Sequence, residues 1–263
     1  ASCHSKGDEA TALLLDQHEG LVFAVGDTVY EDGTLDEYED CYEPTWGRHL
    51  ERTRAVPGNH EYHTPGAADY FAYFGPAAGE PGKGYYSFDL GAWHIIALNS
   101  VCSHLWTKTP QGRWIDGCSS GSPQEQWLRA DLAAHPTACT LVVVHHPRYS
   151  SGSGINNEVL PFWQAMYQAG VDVVISGGAH HYERFAPLDP WGNRDDERGI
   201  VQFVVGTGGR STQQFKDILP YSLRRGTAYG VLQLTLHSTW YEWQFIPVRN
   251  EQFTDYGTAY CHD

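Results

Sequence analysis

The sequence predicts an α/β fold in which two β-sheets form a sandwich flanked by helices. Short β-branched runs end abruptly in polar residues, helical patterns lie between them, and paired aromatic and aliphatic runs joined by turns enrich the middle and end. At 263 residues the chain suits one large domain with a sizeable buried core, expected to span 1–263. No repeat, low-complexity stretch or linker divides it.

Residues 8–18 read as a helix. The run 21–25 is a strand that meets Gly26-Asp27, and the run 53–56 meets Pro57-Gly58-Asn59-His60. Residues 85–99 predict a hairpin turning at Gly91-Ala92, followed by a surface loop over 103–120. Ser122-Pro123-Gln124-Glu125 has the form of a capping box with Pro at the first helical position, and Trp127, Leu128 and Leu132 continue it at helical spacing. The strand 141–144 then meets His145-His146-Pro147, residues 158–169 read as a helix, and the strand 171–175 meets Ser176-Gly177-Gly178. A charged surface excursion over 189–199 precedes a second hairpin, 231–248, turning near His237-Ser238-Thr239. Open α/β sheets bind ligands at the carboxyl ends of their strands, so these polar strand ends are expected to share one crevice.

A formal net charge of -15 and a pI near 5.3 argue against nucleic acid or an anionic membrane as partner, both being polyanions. With 28 Gly, 16 Tyr, 9 Trp and 14 His the chain is too aromatic and apolar for disorder. No stretch approaches the roughly 18 apolar residues of a membrane span, so a soluble protein is expected. Its oligomeric state is not legible. The opening Ala1-Ser2-Cys3 without an initiator Met is expected of a mature or trimmed N-terminus. Six cysteines without zinc-type spacing point to disulfides, an oxidising compartment and secretion, the alternative being scattered buried thiols. Cys102 with Cys118 is the preferred pair, and the other four cannot be paired from sequence.

The strand ends carry the chemistry. Asp27 offers two carboxylate oxygens that could bridge two cations, although a Gly-Asp after a strand is by itself usually a turn. Asn59 offers a neutral amide oxygen, and His60 beside it can donate a proton or clamp an oxyanion. One imidazole of the His145-His146 pair can face the crevice, with His146 read as a hydrogen-bonded structural residue. Arg148 could meet a phosphate as a charged fork, and the segments 105–114 and 149–152 are expected to rim the crevice.

The motifs GDTVY (26–30), GNHEY (58–62), HHP (145–147) and HHYERF (180–185), in this order, resemble the ladder of the calcineurin-like metallophosphoesterases. The Tyr of GDTVY and the YER tail are similar to the purple acid phosphatase branch. The resemblance spans 22–185, with GTGG at 206–209 a continuation. It implies a four-layer αββα sandwich of two mixed β-sheets with metals at the strand ends, and hydrolysis of small phosphate esters by a metal-activated hydroxide. It implies two metal ions, Fe with Zn, Mn or Fe. Asp27 matches their bridging ligand and Tyr30 the phenolate that binds Fe(III). Asn59 and His145 match ligands of the second metal, His180 a ligand of the first, and His60 the residue assisting phosphate or leaving group. Glu61, Tyr182, Glu183 and Arg184 are expected to support these ligands or the fold.

The chain departs from the family at two ligands. The Asp that opens the ladder has no counterpart, so the domain is expected to lack its first strand at the N-terminus; and Gly178 stands where a His ligand belongs. Each metal thus loses one protein ligand, and a single bound metal becomes an expectation too. Two other readings follow: a degenerate member serving as a binding or structural protein, and a mononuclear zinc or copper site built from His180, His181 and His145 or His146.

Overall fold

The computed structural model describes residues 1–3, 5–137 and 139–262. Its strands are β1 (Val22–Ala24), β2 (Thr53–Ala55), β3 (Tyr86–Leu90), β4 (Trp93–Leu98), β5 (Thr107–Lys108), β6 (Trp114–Ile115) and β7 (Cys139–Val144). They continue with β8 (Val173–Ser176), β9 (Tyr182–Phe185), β10 (Val201–Val205), β11 (Ser222–Gly226), β12 (Gly230–Leu236), β13 (Trp240–Pro247) and β14 (Tyr256–Tyr260). The helices are α1 (Gly7–Leu15), the single turn α2 (Leu35–Glu37), α3 (Ala68–Phe74), α4 (Pro123–Ala134) and α5 (Leu160–Ala169).

One layer is a seven-stranded mixed sheet in the order β11-β9-β10-β8-β7-β4-β3. Its central strands read as continuous apolar runs because both faces are covered. Ile96, Leu98, Val142 and Val174 pack against Leu128 of α4 and Phe162, Trp163 and Met166 of α5. Their alternate neighbours Ile95, Ala97, Leu141 and Val173 face Tyr241 and Phe245 of the second layer. The N-terminus of α4 is fixed by Ser122 Oγ, which accepts the Glu125 N–H at 3.2 Å.

The second layer is in two pieces, a parallel pair β1-β2 and an antiparallel meander β12-β13-β14. Between the pieces runs a largely apolar slot of about 730 Å³, bounded by β1 and β12 and floored by Ile95, Leu141, Ile175 and Val205. Among the described residues β1 pairs only with β2 and β12 only with β13, so each turns an unpaired edge toward this slot. The expected sandwich is present, but the second layer is a split parallel-plus-antiparallel layer and not one mixed sheet.

Two hairpins form close to where the sequence places them, β3-β4 and β12-β13. β5, β6, β9, β10, β11 and β14 lie outside the strand pattern read from sequence. β11 and β14 are outer strands with polar or exposed residues, which carry no apolar run. Disulfides join Cys3 to Cys41, Cys102 to Cys118 and Cys139 to Cys261, so the preferred pair is formed and the other four cysteines are paired as well. Among the described residues no helix is long and apolar enough to cross a membrane.

Asp255 ties the two layers together. Its carboxylate accepts hydrogen bonds from Tyr182 Oη at 2.7 Å, Arg184 Nε at 2.7 Å and Trp243 Nε1 at 3.3 Å. Burial alone would raise its carboxyl, and the Arg184 and Tyr182 bonds outweigh that and hold it below the usual 3.8. Its contribution is therefore present above pH 3.8 and lost as pH falls through the lower folded value. Asp255→Asn is expected to cost about 3 kcal/mol at neutral pH by stranding Arg184. In denaturant titrations the gap to wild type should narrow progressively as pH falls below 3.8; a gap that does not narrow rules out the charge as its origin.

Candidate metal centre

The polar strand ends do meet, but as two pairs from facing layers. β1 and β2 are parallel neighbours in one layer, and β7 and β8 are parallel neighbours in the other. His145, just beyond β7, crosses the gap: its Nδ1 donates to the Val25 carbonyl at 2.8 Å. Close approach of the layers depends on small residues. A Cβ on Gly58 would lie 2.2 Å from Asp27 Oδ1, and one on Gly26, at φ +84°, would lie 2.4 Å from His145 Nδ1.

Asp27 sits at φ +52°, a left-handed conformation that Asp tolerates better than most residues. Glu61 holds it there. Fully buried, Glu61 accepts the backbone N–H groups of Asp27 at 2.9 Å, Thr28 at 2.7 Å and Gly58 at 2.6 Å, and the Thr28 hydroxyl at 2.9 Å. One carboxylate thereby locks the β1 and β2 loops together. Asp27 Oδ1 accepts the His60 N–H at 3.0 Å, leaving Oδ2 facing the interior of the site.

Around Oδ2 the contacts run in a chain. His145 Nε2 lies 3.4 Å from it and Tyr30 Oη 3.3 Å, and His180 Nε2 lies 3.4 Å beyond Tyr30 Oη. His180 is oriented from behind by a 2.8 Å contact between its Nδ1 and Ser211 Oγ. His145 Nε2 is buried and makes no hydrogen bond among the described residues, Asp27 Oδ2 standing 3.4 Å away. A stranded polar atom of this kind costs about 1–3 kcal/mol, so its place opposite a carboxylate marks a position for a cation.

The electrostatics agree. Burial would raise the Asp27 carboxyl, but His145 and His60 hold it well below the usual carboxylate range. Burial would likewise lower His145, but the Asp27 carboxylate and the Val25 carbonyl raise it to about 9. A positive charge between the two is favoured, whether a proton or a metal supplies it. Burial lowers His180 and so favours its neutral ring, while burial and the Asp27 charge push the Tyr30 phenol far above its ordinary value. The three contacts, 3.4, 3.3 and 3.4 Å, each have the length of one ligand-to-ligand edge around an ion with bonds of about 2.0–2.1 Å, and they follow one another as a chain, not as a closed cluster. The donor set fits a metal, with Asp27 at its centre, His145 on one arm and Tyr30 and His180 on the other.

The remaining candidates are placed as follows. His60 stands at the mouth, half-buried, its Nε2 4.0 Å from Asp27 Oδ2. Asn59 lines an adjoining cleft of about 580 Å³ with Ser100 and His146. His146 Nδ1 is bonded to Ser100 Oγ at 2.9 Å, and burial beside His145 lowers its pKa to about 3. Gly178 lies against the centre: a Cβ there would be 3.1 Å from His145 Nε2. The structure does not bring Arg148 to the cluster. The backbone N–H groups of Arg148 and Tyr149 bind Gln202 Oε1, and the Arg148 guanidinium is turned toward Asn157 and the Pro190 carbonyl. His180 and His181 also diverge, His181 being buried against Glu183 Oε2 at 3.2 Å, so they do not converge on one mononuclear site. Arg210, its guanidinium 5.0 Å above the Tyr30 ring, was not legible as a site residue; the adjacent glycine run 206–209 was its only signal.

Two layers of β-sheet with carboxylate, imidazole and phenol donors gathered at facing strand ends define a metallophosphoesterase. The calcineurin-like phosphoesterase profile matches residues 4–182, and the chain belongs to that family, in its purple acid phosphatase-like branch. It is 30% identical over 252 residues to purple acid phosphatase 21 of Arabidopsis thaliana, covering 79% of this chain and 54% of the relative. Among solved structures it is similar to the purple acid phosphatase PPD1 from yellow lupin (Lupinus luteus) seeds, with a TM-score of 0.77 at 18% identity over 97% of this chain and 49% of that one. It also resembles GAP50, the anchor in the inner membrane complex of Plasmodium, with a TM-score of 0.70 at 15% identity, covering 95% of this chain and 83% of that one. The chain thus spans about half the length of the purple acid phosphatases it matches.

Proposed function

We propose that this chain binds metal at Asp27, Tyr30, His145 and His180 and hydrolyses phosphate esters there. The observation that carries the reading is the partnerless His145 Nε2 facing Asp27 Oδ2 beside the Tyr30–His180 contact. Bound metal ions, iron with zinc, manganese or iron, would supply positive charge to receive phosphoryl oxygens and activate water. Asp27 would hold the ions through its carboxylate, whose Oδ1 accepts the His60 N–H and whose Oδ2 faces the site. Asn59, which lines the adjoining cleft, would offer its amide oxygen. His60 Nδ1 meets the Glu31 carbonyl, which orients Nε2 toward the mouth, where a protonated ring can give its proton to the leaving alkoxide.

We propose that 1–263 is one metallophosphoesterase domain whose slot is completed by an extended apolar strand running upstream of Ala1. The two open strand edges and the position of Ala1 against the Thr28 carbonyl beside Asp27 support this. Such a strand, parallel to β1, would deliver its last residue to the Asp27–His180 end. The disulfides support an exported protein in an oxidising compartment. A second reading, a binding protein on the same fold, is favoured by Gly178 in a ligand position.

The test compares this chain with a version extended upstream by five apolar residues ending in Gly-Asp. Metal content and hydrolysis of p-nitrophenyl phosphate are expected in both, with higher metal content and thermal midpoint in the extended chain. Metal uptake without turnover in either form would favour the binding protein, and no uptake in either would remove the metal centre altogether.

A further inference from the structure

We propose that Arg210 receives the phosphoryl group of the substrate, selecting phosphate monoesters, in place of the Glu31 carboxylate that now pairs with its guanidinium at the mouth; the inference rests on the phosphoesterase reading above. Three arginines stand near the strand ends and the slot, and they are not equivalent. Arg52 is bonded to the Gly20 and Leu15 carbonyls, and Arg148 to Asn157 and the Pro190 carbonyl. Arg210 makes one ion pair, from Nη2 to Glu31 Oε1, and its other guanidinium donors have no partner among the described residues. A planar fork with free donors is the form that meets two oxygens of a phosphoryl group at once.

Its position is fixed from the backbone. The preceding loop is tied to the N-terminal segment, since Gly208 O accepts from Thr11 Oγ1 at 2.5 Å and Gly209 O from Ser5 Oγ. The following residue, Ser211, holds His180 at 2.8 Å. Between these anchors the Arg210 side chain is 36% exposed, enough to turn, and lies 5.0 Å over the Tyr30 ring whose hydroxyl reaches Asp27 and His180. The surroundings make a cation there useful. Asp27 and the exposed Glu31, with Glu61 buried behind Asp27, gather negative charge at this end of a chain with net charge -15, which repels an anionic ester. A monoester, with about two negative charges and three non-bridging oxygens, gains more from the fork than a diester with one charge and two such oxygens. Glu31 is then a competitor that the incoming phosphate displaces.

The test loads wild type, Arg210→Gln, Arg210→Lys and Glu31→Gln with metal and titrates inorganic phosphate calorimetrically, alongside kcat and KM for a monoester and a diester. Arg210→Gln is expected to weaken phosphate binding about 10-fold or more and to raise the monoester KM similarly. Metal stoichiometry should stay near wild type, and the diester KM should rise less than the monoester KM. Arg210→Lys should recover part of the loss, and Glu31→Gln should tighten phosphate binding, which a purely structural ion pair would not do. If wild type binds phosphate and Arg210→Gln binds it equally well, or loses monoester and diester alike, Arg210 has no such role. If metal-loaded wild type binds no phosphate at all, this inference falls together with the phosphoesterase reading.

Discussion

Asp27→Asn should leave a folded protein that no longer holds metal and no longer hydrolyses phosphate esters. Asn tolerates the left-handed backbone at φ +52° and keeps the side-chain shape, so the β1 loop and its bonds to Glu61 survive. What disappears is the negative charge of Oδ2, the atom that both His145 and Tyr30 face. Outer-shell partners of a metal cost roughly 10–100-fold when lost, and a central ligand should cost more than that in both affinity and turnover. A second readout needs no metal. Asp27 holds the metal-free His145 at about 9 against burial, so the pair stabilises the fold at lower pH and that stabilisation is lost as pH rises through about 9. In Asp27→Asn, burial is left unopposed, the imidazole stays neutral at neutral pH, and this alkaline loss should vanish from the stability profile. Undiminished metal binding or turnover in the purified variant would mean that the centre lies elsewhere.

The strand ends were legible because an apolar run that stops at Asp27, Asn59, His145 or Gly177 is a local pattern. Which strands pair is not local. That the Asp27 and Asn59 strands share one layer while the His145 and Gly177 strands share the other emerges only from the parallel registers. Arg148 shows the limit of reasoning from strand ends: it is next to the HHP motif, yet the Gln202 side chain across the sheet turns the local backbone and takes the guanidinium away from the crevice. Arg210 shows the converse, a site residue on a loop without periodicity, brought in because Ser5 and Thr11 fasten that loop. The strand β9 was hidden because Tyr182, Glu183 and Arg184 read as a site motif, while their structural role is to pair with β10 and β11. The unpaired edges of β1 and β12 could not be seen in sequence at all, since an edge is defined by what does not bond to it.

Glu61→Gln is expected to damage the site without touching a ligand. In wild type, one buried carboxylate satisfies three backbone N–H groups and a hydroxyl from the Asp27 and Gly58 loops. Gln has the same size but replaces one acceptor oxygen with an NH2, which must face either the Thr28 or the Asp27 and Gly58 donors. At least one buried N–H then loses its acceptor, at a cost of about 3 kcal/mol including the charge-assisted bonds that are weakened. For a chain of this size that corresponds to a fall of roughly 6–12 °C in the thermal midpoint. The loops would relax apart, and because Asp27 is aimed by its own N–H bond to Glu61, metal affinity should fall about 10–100-fold, the range for partners behind a ligand. Calorimetric unfolding and metal titration on the same preparation separate the two effects. The affinity loss should persist well below the midpoint, where the variant is folded. Normal affinity with only a lowered midpoint would make Glu61 a residue of the fold alone and leave the orientation of Asp27 to the His60 N–H.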